Sequence, residues 1–180
     1  MFSVVPNGPA WGAMFTALLI AGCVTDIRSR RIPNVLVLAL LAGGIVFSFA
    51  TRPLAVAFRE SAAGLLLGFA IWIVFYLAGV IGAGDVKFFS AAAAWLGPSA
   101  TWRAALAAGA VGGVLAVVFL VREGRLGSTL QRMMFAMSSK SATLLVRDGD
   151  GTVNRQNQLP YGIALATGAL IAAWWPGFRG

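Results

Sequence analysis

Apolar residues occupy this chain in six long runs, and short polar stretches separate the runs. At a rise of 1.5 Å per residue, a helix of about 20 apolar residues crosses the roughly 30 Å hydrocarbon core of a bilayer. Turn-forming residues such as Thr51-Arg52-Pro53 mark the gaps. The pattern therefore predicts an all-α, polytopic integral membrane protein with about six transmembrane helices. The predicted spans cover about residues 11–25, 35–50, 62–81, 86–96, 102–121 and 160–175.

The composition supports placement in a lipid bilayer. The 180 residues are 59% hydrophobic and only 11% charged, with a mean hydropathy of +0.83. Soluble domains average roughly 25% charged residues, so this chain has too few charges to cover a water-facing surface. We expect a single transmembrane domain over residues 1–180, with one long polar loop at about 122–158. Within that loop, residues 130–145 mix Met and Phe with Arg132 and Lys140, which predicts an amphipathic helix on the inner leaflet.

The basic residues indicate topology rather than a nucleic-acid partner. A net charge of +8 is compatible with nucleic-acid binding, but the basic residues fall in the gaps between apolar runs. If the loops after the first, third and fifth spans are cytoplasmic, that side carries ten of the fourteen Lys and Arg residues. The positive-inside rule then predicts this orientation. The ten residues are Arg28, Arg30, Arg31, Lys87, Arg122, Arg125, Arg132, Lys140, Arg147 and Arg155.

Several kinds of site are excluded by residue content. The chain has no histidine and a single cysteine, Cys23. Histidine-based acid–base chemistry, a His-ligated metal, a disulfide within the chain and a Cys-x-x-Cys zinc site are therefore excluded. We expect neither a metal nor another cofactor. Because Cys23 lies within an apolar run, we interpret it as a small buried hydrophobe.

Two aspartates stand at predicted span ends. Asp26 ends the first span, and Asp85 opens the fourth, directly after Gly82-Ala83-Gly84. The chain has only six acidic residues, and an ionisable group at membrane depth is costly and usually functional. The glycines remove side-chain bulk, so another backbone can approach Asp85 closely. The predicted topology places both aspartates on the cytoplasmic side.

Two carboxylates brought together can hold one proton between them, because like charges at close range do not both ionise readily. The ionised partner can take a proton from water while the protonated one polarises a peptide carbonyl, which is aspartic proteolysis. The helix dipole favours Asp26, at the end of a helix, as the protonated partner and Asp85, at the start of one, as the ionised partner. Lys87 would further favour ionisation of Asp85.

Other interpretations of the same residues stay open at this point. Each aspartate alone fits an ordinary interfacial charge that a nearby Arg or Lys neutralises, and Arg28, Arg30 and Arg31 fit topology determinants. A non-enzymatic channel or transporter could use the aspartates to guide protons or cations, although inverted repeats typical of transporters are not visible. A structural subunit of a secretion apparatus would function without either carboxylate.

Small residues and tryptophans indicate how the helices pack and where they end. Gly64-x-x-x-Gly68 and Gly109-x-x-x-Gly113 predict close helix packing in the third and fifth spans. Tryptophans near span ends are typical of interfacial anchors. The tryptophans with this predicted role are Trp11, Trp95, Trp102, Trp174 and Trp175.

Three short blocks follow one another along the chain. They are Asp26-Ile27-Arg28 with Ile32-Pro33-Asn34, then Gly82-Ala83-Gly84-Asp85-Val86-Lys87, then Pro160-Tyr161-Gly162. Together they resemble the signature blocks of type IV prepilin leader peptidases, which are membrane aspartic proteases of the Gly-x-Gly-Asp class. The resemblance implies catalytic roles for Asp26 and Asp85. It also implies supporting or substrate-site roles for Gly82, Gly84, Lys87, Pro160, Tyr161, Gly162, Arg28 and Asn34.

The resemblance further implies a substrate and a location. The substrate would be a prepilin-like membrane protein with a short basic leader, a small residue at the cut and then a hydrophobic helix. The site would face the cytoplasm at the bacterial inner membrane, with pilus assembly machinery as a possible partner. Longer members carry a cysteine-rich zinc segment and also methylate the new N-terminus. This chain lacks those cysteines and resembles the short, peptidase-only form of Tad/Flp pilus systems, so we expect no N-methyltransferase activity.

Overall fold

The structure is a computed structural model that describes residues 9–78, 80–122 and 161–174. These residues form six α-helices and no strand, which confirms the all-α prediction. The predicted amphipathic helix at 130–145 and nearly all of the polar loop lie outside the described residues. The helices are α1 (Pro9–Ser29), α2 (Asn34–Thr51), α3 (Leu54–Leu77), α4 (Ala83–Leu96), α5 (Pro98–Arg122) and α6 (Tyr161–Trp174).

Four of these helices are long and apolar enough to cross a membrane, namely α1, α2, α3 and α5. The other two, α4 and α6, have 14 residues each. At 1.5 Å per residue each is about 21 Å long, which is less than the roughly 30 Å hydrocarbon core. That these two short helices also cross the bilayer stays a prediction.

The helices α3 and α5 begin earlier than the apolar runs that predicted them. The third run was predicted to begin at residue 62, whereas α3 begins at Leu54, directly after the N-cap residue Pro53. Arg59 and Glu60 interrupt the hydropathy but not the helix, and their side chains pair at 3.4 Å. Similarly, α5 begins at Pro98, and only Gly97 separates it from α4. Hydropathy locates the membrane-embedded part of a helix, whereas the helix itself continues into its polar ends.

The short helix α4 is the buried centre of the bundle. It contacts each of the other five helices. Every residue from Phe88 to Leu96 is buried, and so is Val86. The run Ser90 to Ala94 has only small side chains, so neighbouring helices can approach the α4 backbone closely.

The prediction that Trp95 is an interfacial anchor is wrong, because Trp95 is 1% exposed in the core. Its indole Nε1–H donates a hydrogen bond of 2.7 Å to the carbonyl oxygen of Leu40 in α2, which satisfies the buried donor. Space for the ring comes from Gly44, where a Cβ would lie 2.7 Å from an indole carbon. Trp175 lies outside the described residues. The tryptophans that keep nearly half of their surface exposed, in agreement with the anchor prediction, are Trp102 and Trp174.

The glycine motif of α3 packs as predicted, and that of α5 does not. A Cβ at Gly64 would collide with the backbone carbonyl oxygen of Ala93 in α4, and one at Gly68 would lie 2.8 Å from the Ala93 Cβ. At Gly109 and Gly113, by contrast, a Cβ would meet no atom within 4 Å. The packing prediction for Gly109 and Gly113 is therefore wrong within the described residues.

A different face of α5 packs closely, and its partner is α6. A Cβ at Gly168 of α6 would lie 2.5 Å from the Ala104 carbonyl oxygen and from the Ala108 amide nitrogen. One turn further along α5, a Cβ at Gly112 would lie 3.1 Å from the ring of Tyr161. Because α5 carries small residues on several faces, a small-residue motif alone could not indicate which face is buried.

We predict that Gly64→Ala destabilises the protein whereas Gly113→Ala does not. Alanine improves helix propensity by about 1 kcal/mol at either site. At Gly64 the added methyl must displace the α4 backbone, and overpacking of this kind costs about 1–3 kcal/mol. Denaturation in detergent measures both variants. Equal stabilities of the two variants would contradict the close contact between α3 and α4.

Candidate active site

The helices α1 and α4 run antiparallel and meet through a glycine. A Cβ at Gly22 would lie 2.5 Å from the ring of Phe88. Nearer the other end of both helices, Phe15 contacts Trp95 with ring centroids 5.2 Å apart. Residues three or four apart share a helix face. One turn from the Gly22 contact, towards the same end of the bundle, α1 therefore presents Asp26 and α4 presents Asp85.

Asp26 is held by the backbone of α6. Its side chain is 7% exposed, and its Oδ2 accepts a hydrogen bond of 2.9 Å from the N–H of Gly162. Gly162 is the second residue of α6, so its N–H is one of the amides that a helix start leaves without an intrahelical partner. Asp26 thus caps α6 from a different helix, and the third predicted block meets the first.

Asp85 is held by its own helix start. It is the third residue of α4, and its Oδ2 accepts a hydrogen bond of 3.1 Å from the N–H of Gly82, the N-cap residue. This is the carboxylate half of a capping box. Asp85 therefore also has the ordinary capping role that its sequence position allows. Among the described residues, no hydrogen bond reaches Oδ1 of Asp85 or of Asp26, so each carboxylate keeps one oxygen for other partners.

The two carboxylates are close enough for the charge of one to act on the other. Asp85 lies outside the four helices that are long enough to span the membrane. Burial raises the pKa of Asp85 to about 6, the hydrogen bond from the Gly82 N–H opposes this rise, and the charge of Asp26 adds to it. The charge of Asp85 also reaches the hydroxyl of Tyr161. Residues from three elements that are distant in sequence, α1, α4 and α6, therefore lie within electrostatic range of one another.

The expectation that Asp26 holds the shared proton rested on helix dipoles, and the structure changes that argument. Asp26 lies at the C-terminal end of α1 but also binds the N-terminal end of α6. Asp85 lies at the N-terminal end of α4. Both carboxylates thus contact a helix N-terminus, where negative charge is stabilised. The helix dipoles therefore no longer indicate which of the two carboxyl groups is protonated, and the assignment of the proton to Asp26 stays a prediction.

The other candidate residues divide into those near the carboxylates and those with exposed side chains. A Cβ at Gly82 would lie 3.3 Å from Asp85 Oδ2, which is tight, whereas one at Gly84 would make only ordinary contact, 3.9 Å from Ile32. Pro160 lies outside the described residues. Three further candidates have exposed side chains, and within the described residues none of these hydrogen-bonds to either carboxylate: Arg28, Asn34 and Lys87.

Comparison with known proteins identifies the family of the chain. The statistical model of the Type IV leader peptidase family matches residues 13–120 of the chain. The chain belongs to this family. The matched region contains Asp26 and Asp85 but ends before α6. The contact between Gly162 and Asp26 is therefore an observation of the structure that the family match does not supply.

Curated relatives of this leader peptidase family member carry matching names. A protein of Escherichia coli O78:H11 (strain H10407 / ETEC), named type 4 prepilin-like proteins leader peptide-processing enzyme, is 31% identical over 113 residues, which cover 58% of this chain and 41% of the relative. Two proteins are named prepilin leader peptidase/N-methyltransferase. The one from Pectobacterium carotovorum subsp. carotovorum is 28% identical over 64% of this chain and 43% of its own length. The one from Dickeya chrysanthemi is 34% identical over 95 residues, which cover 48% of this chain and 31% of the relative.

The matched part of this leader peptidase family member covers less than half of each of these curated relatives. No solved structure matches the chain.

Sequence reasoning missed two residues at the site. Cys23 is half-buried, and its Sγ contacts the carbonyl oxygen of Gly162 at 3.6 Å, so its interpretation as a small buried hydrophobe was incomplete. Cys23 and Asp26 are three residues apart and share a face of α1, and this spacing was the available signal. Arg30 adopts a left-handed backbone with φ of 49° at the end of α1, where its charge acts on Asp26. No sequence signal indicated this backbone conformation.

We predict that Asp26→Asn is close to wild type in stability and that Asp26→Leu is not. The asparagine carbonyl oxygen can still accept the Gly162 N–H, whereas leucine leaves that buried donor without a partner, at a cost of about 1–3 kcal/mol. Denaturation in detergent measures the difference. If the leucine variant were as stable as the asparagine variant, the capping role of Asp26 would be wrong.

Proposed function

We propose that this protein is a membrane aspartic endopeptidase that removes the leader from prepilin-like proteins, with Asp26 and Asp85 as its catalytic pair. One observation carries the proposal: a buried carboxylate from α1 and a carboxylate from α4 converge at one end of the bundle, within reach of each other's charge. Membership of the type IV leader peptidase family supports the substrate class.

The chemistry requires one ionised and one protonated carboxyl group. The ionised carboxylate takes a proton from a water molecule, and the water oxygen attacks the carbonyl carbon of the scissile peptide bond. The protonated carboxyl gives its proton to the carbonyl oxygen, which produces a tetrahedral diol. Collapse of the diol breaks the C–N bond, the leaving amine takes a proton from one carboxyl, and the other carboxylate recovers the hydroxyl proton.

Backbone amides orient the carboxylates for these steps. The N–H groups of Gly82 and Gly162 bind one oxygen of Asp85 and Asp26 respectively. Because helix starts hold these amides in place, little reorganisation is needed as charge moves during the reaction. The oxygen that remains on each carboxylate is the one available to water or to the scissile carbonyl.

We propose that this site faces the cytoplasm at the bacterial inner membrane, and the positive-inside pattern supports that orientation. There it would meet the basic leader of the substrate, with the hydrophobic helix of the substrate in the bilayer. Pilus assembly machinery would then use the product. We propose peptidase activity without N-methylation, which is what the resemblance to the short, peptidase-only form implies, and the single cysteine among residues 1–180 supports it.

The test is cleavage of a co-reconstituted prepilin-like substrate by the wild type, Asp26→Asn and Asp85→Asn. Both swaps preserve shape and remove a titrating group, so each should lower the rate by about 10²-fold to 10⁴-fold or more. Glu60→Gln is the matched control, because Glu60 lies beside Gly97 at the opposite end of α4. This variant should cut the substrate at the wild-type rate. If either aspartate variant cut at nearly the wild-type rate, the proposed pair would be wrong.

A second prediction concerns the third block. In Gly162→Ala the added Cβ would lie 2.7 Å from Asp26 Oδ2 and 3.1 Å from its Cγ, so the carboxylate must move. A displacement of about 1 Å in catalytic geometry costs about 10²-fold in rate. Gly109→Ala, in open space on α5, is the control and should retain the wild-type rate. Wild-type cleavage by Gly162→Ala would show that Gly162 does not position Asp26.

A further inference from the structure

A cavity of about 220 Å³ opens between α5 and α6 beside the candidate site. We refer to it as the α5–α6 pocket. Its walls include Leu115, Val118 and Phe119 from α5 and Tyr161 from α6. The lining is apolar apart from the Tyr161 hydroxyl and the exposed Arg122 at the end of α5.

Tyr161 connects the pocket wall to the carboxylate pair. This residue forms part of the pocket wall, and the charge of Asp85 reaches its hydroxyl. The next residue, Gly162, donates its N–H to Asp26. The ring of Tyr161 can lie against α5 because Gly112 has no side chain there. A group that fills the pocket therefore contacts Tyr161, the residue adjacent to the Gly162 amide that binds Asp26.

The size and lining of the pocket indicate what it can hold. An apolar cavity of about 150 Å³ is large enough to bind a benzene ring. A volume of 220 Å³ therefore admits one large aliphatic or aromatic side chain, but it is too small for a helix, whose diameter with side chains is about 10 Å. The apolar walls offer no hydrogen-bond partners to a polar side chain, which would lose its hydration on entry.

We propose that the α5–α6 pocket is a specificity subsite that binds one large apolar side chain of the substrate, close to the scissile bond on its hydrophobic-helix side. This proposal rests on the proposed function. The leader side is disfavoured, because a basic side chain would enter an apolar pocket next to Arg122 and be repelled. Leu115 and Val118 then determine how large a side chain the subsite accepts.

The first test compares Val118→Phe with Val114→Phe. Both valines are exposed on α5, Val118 at 45% and Val114 at 64%, and they lie one helical turn apart. Of the two, only Val118 lines the pocket. The probes are reconstituted peptides with a basic leader, an alanine at the cut and a 20-residue apolar helix. Each probe carries one Phe at one of the first four positions after the cut, and a reference probe has Ala at all four.

We expect the wild type to prefer Phe over Ala at one of these positions in kcat/KM. Filling the pocket in Val118→Phe should reduce that preference about tenfold or more, as expected when a side chain loses its apolar pocket. Val114→Phe should retain the preference. The subsite is overturned if the wild type cuts all probes equally well, or if both variants retain the same preference.

A second measurement does not depend on cleavage. In an Asp85→Asn background, a photo-crosslinking phenylalanine analogue replaces the Phe of each probe, the probes are added in vesicles, and the crosslinked residues are identified. Crosslinks to Leu115 or Val118 but not to Val114 support the subsite even if the wild type cuts nothing, in which case only the proposed function fails. Crosslinks to lipid alone, or only to residues that do not line the pocket, would overturn the subsite.

Discussion

The architecture depends on the close approach of three helices to α4. Helices in a bilayer gain little from apolar burial against each other, so van der Waals contact between close backbones carries more of their association. Each of these three helices supplies a glycine at its close contact with α4. Gly22 of α1 meets Phe88, Gly44 of α2 meets Trp95, and Gly64 of α3 meets the backbone at Ala93. These contacts fix α4 along its length, and the position of Asp85 at its start follows from them.

Asp26 is buried and Asp85 is partly buried, so both carboxylates lose part of their hydration. Two like charges in such surroundings are destabilising unless hydrogen bonds compensate them. Here each aspartate binds an amide that a helix start leaves unpaired, and the two amides come from different helices, α4 and α6. The same bonds that lower the cost of burial also fix the orientation of the carboxylates. Stability and chemistry therefore require the same geometry, and Gly162 contributes to both because a side chain at that position would displace Asp26.

The sequence was sufficient to predict the helices and the pair of aspartates, because hydropathy and rare charges at span ends are local signals. It could not predict contacts that depend on which helix faces lie together. Trp95 stands at the end of an apolar run, as an interfacial anchor would. It is buried because Gly44 of α2 leaves space for its ring, and the apolar run alone does not indicate that contact. The Gly109-x-x-x-Gly113 motif lies on a helix that carries small residues on several faces, so the motif does not indicate which face packs against another helix. The bond between Asp26 and Gly162 joins residues 136 positions apart, and no local pattern encodes it.

The most direct test of the account is the pKa of Asp85, measured by infrared titration of its carboxyl group in the wild type and in Asp26→Asn. The substitution removes a neighbouring negative charge and preserves the fold. If the two carboxylates form a coupled pair, the pKa of Asp85, about 6 in the wild type, should be lower in the variant. An unchanged pKa would mean that the two residues do not interact. Asp26 and Asp85 would then be separate charges at two helix ends, and the proposed mechanism would be wrong.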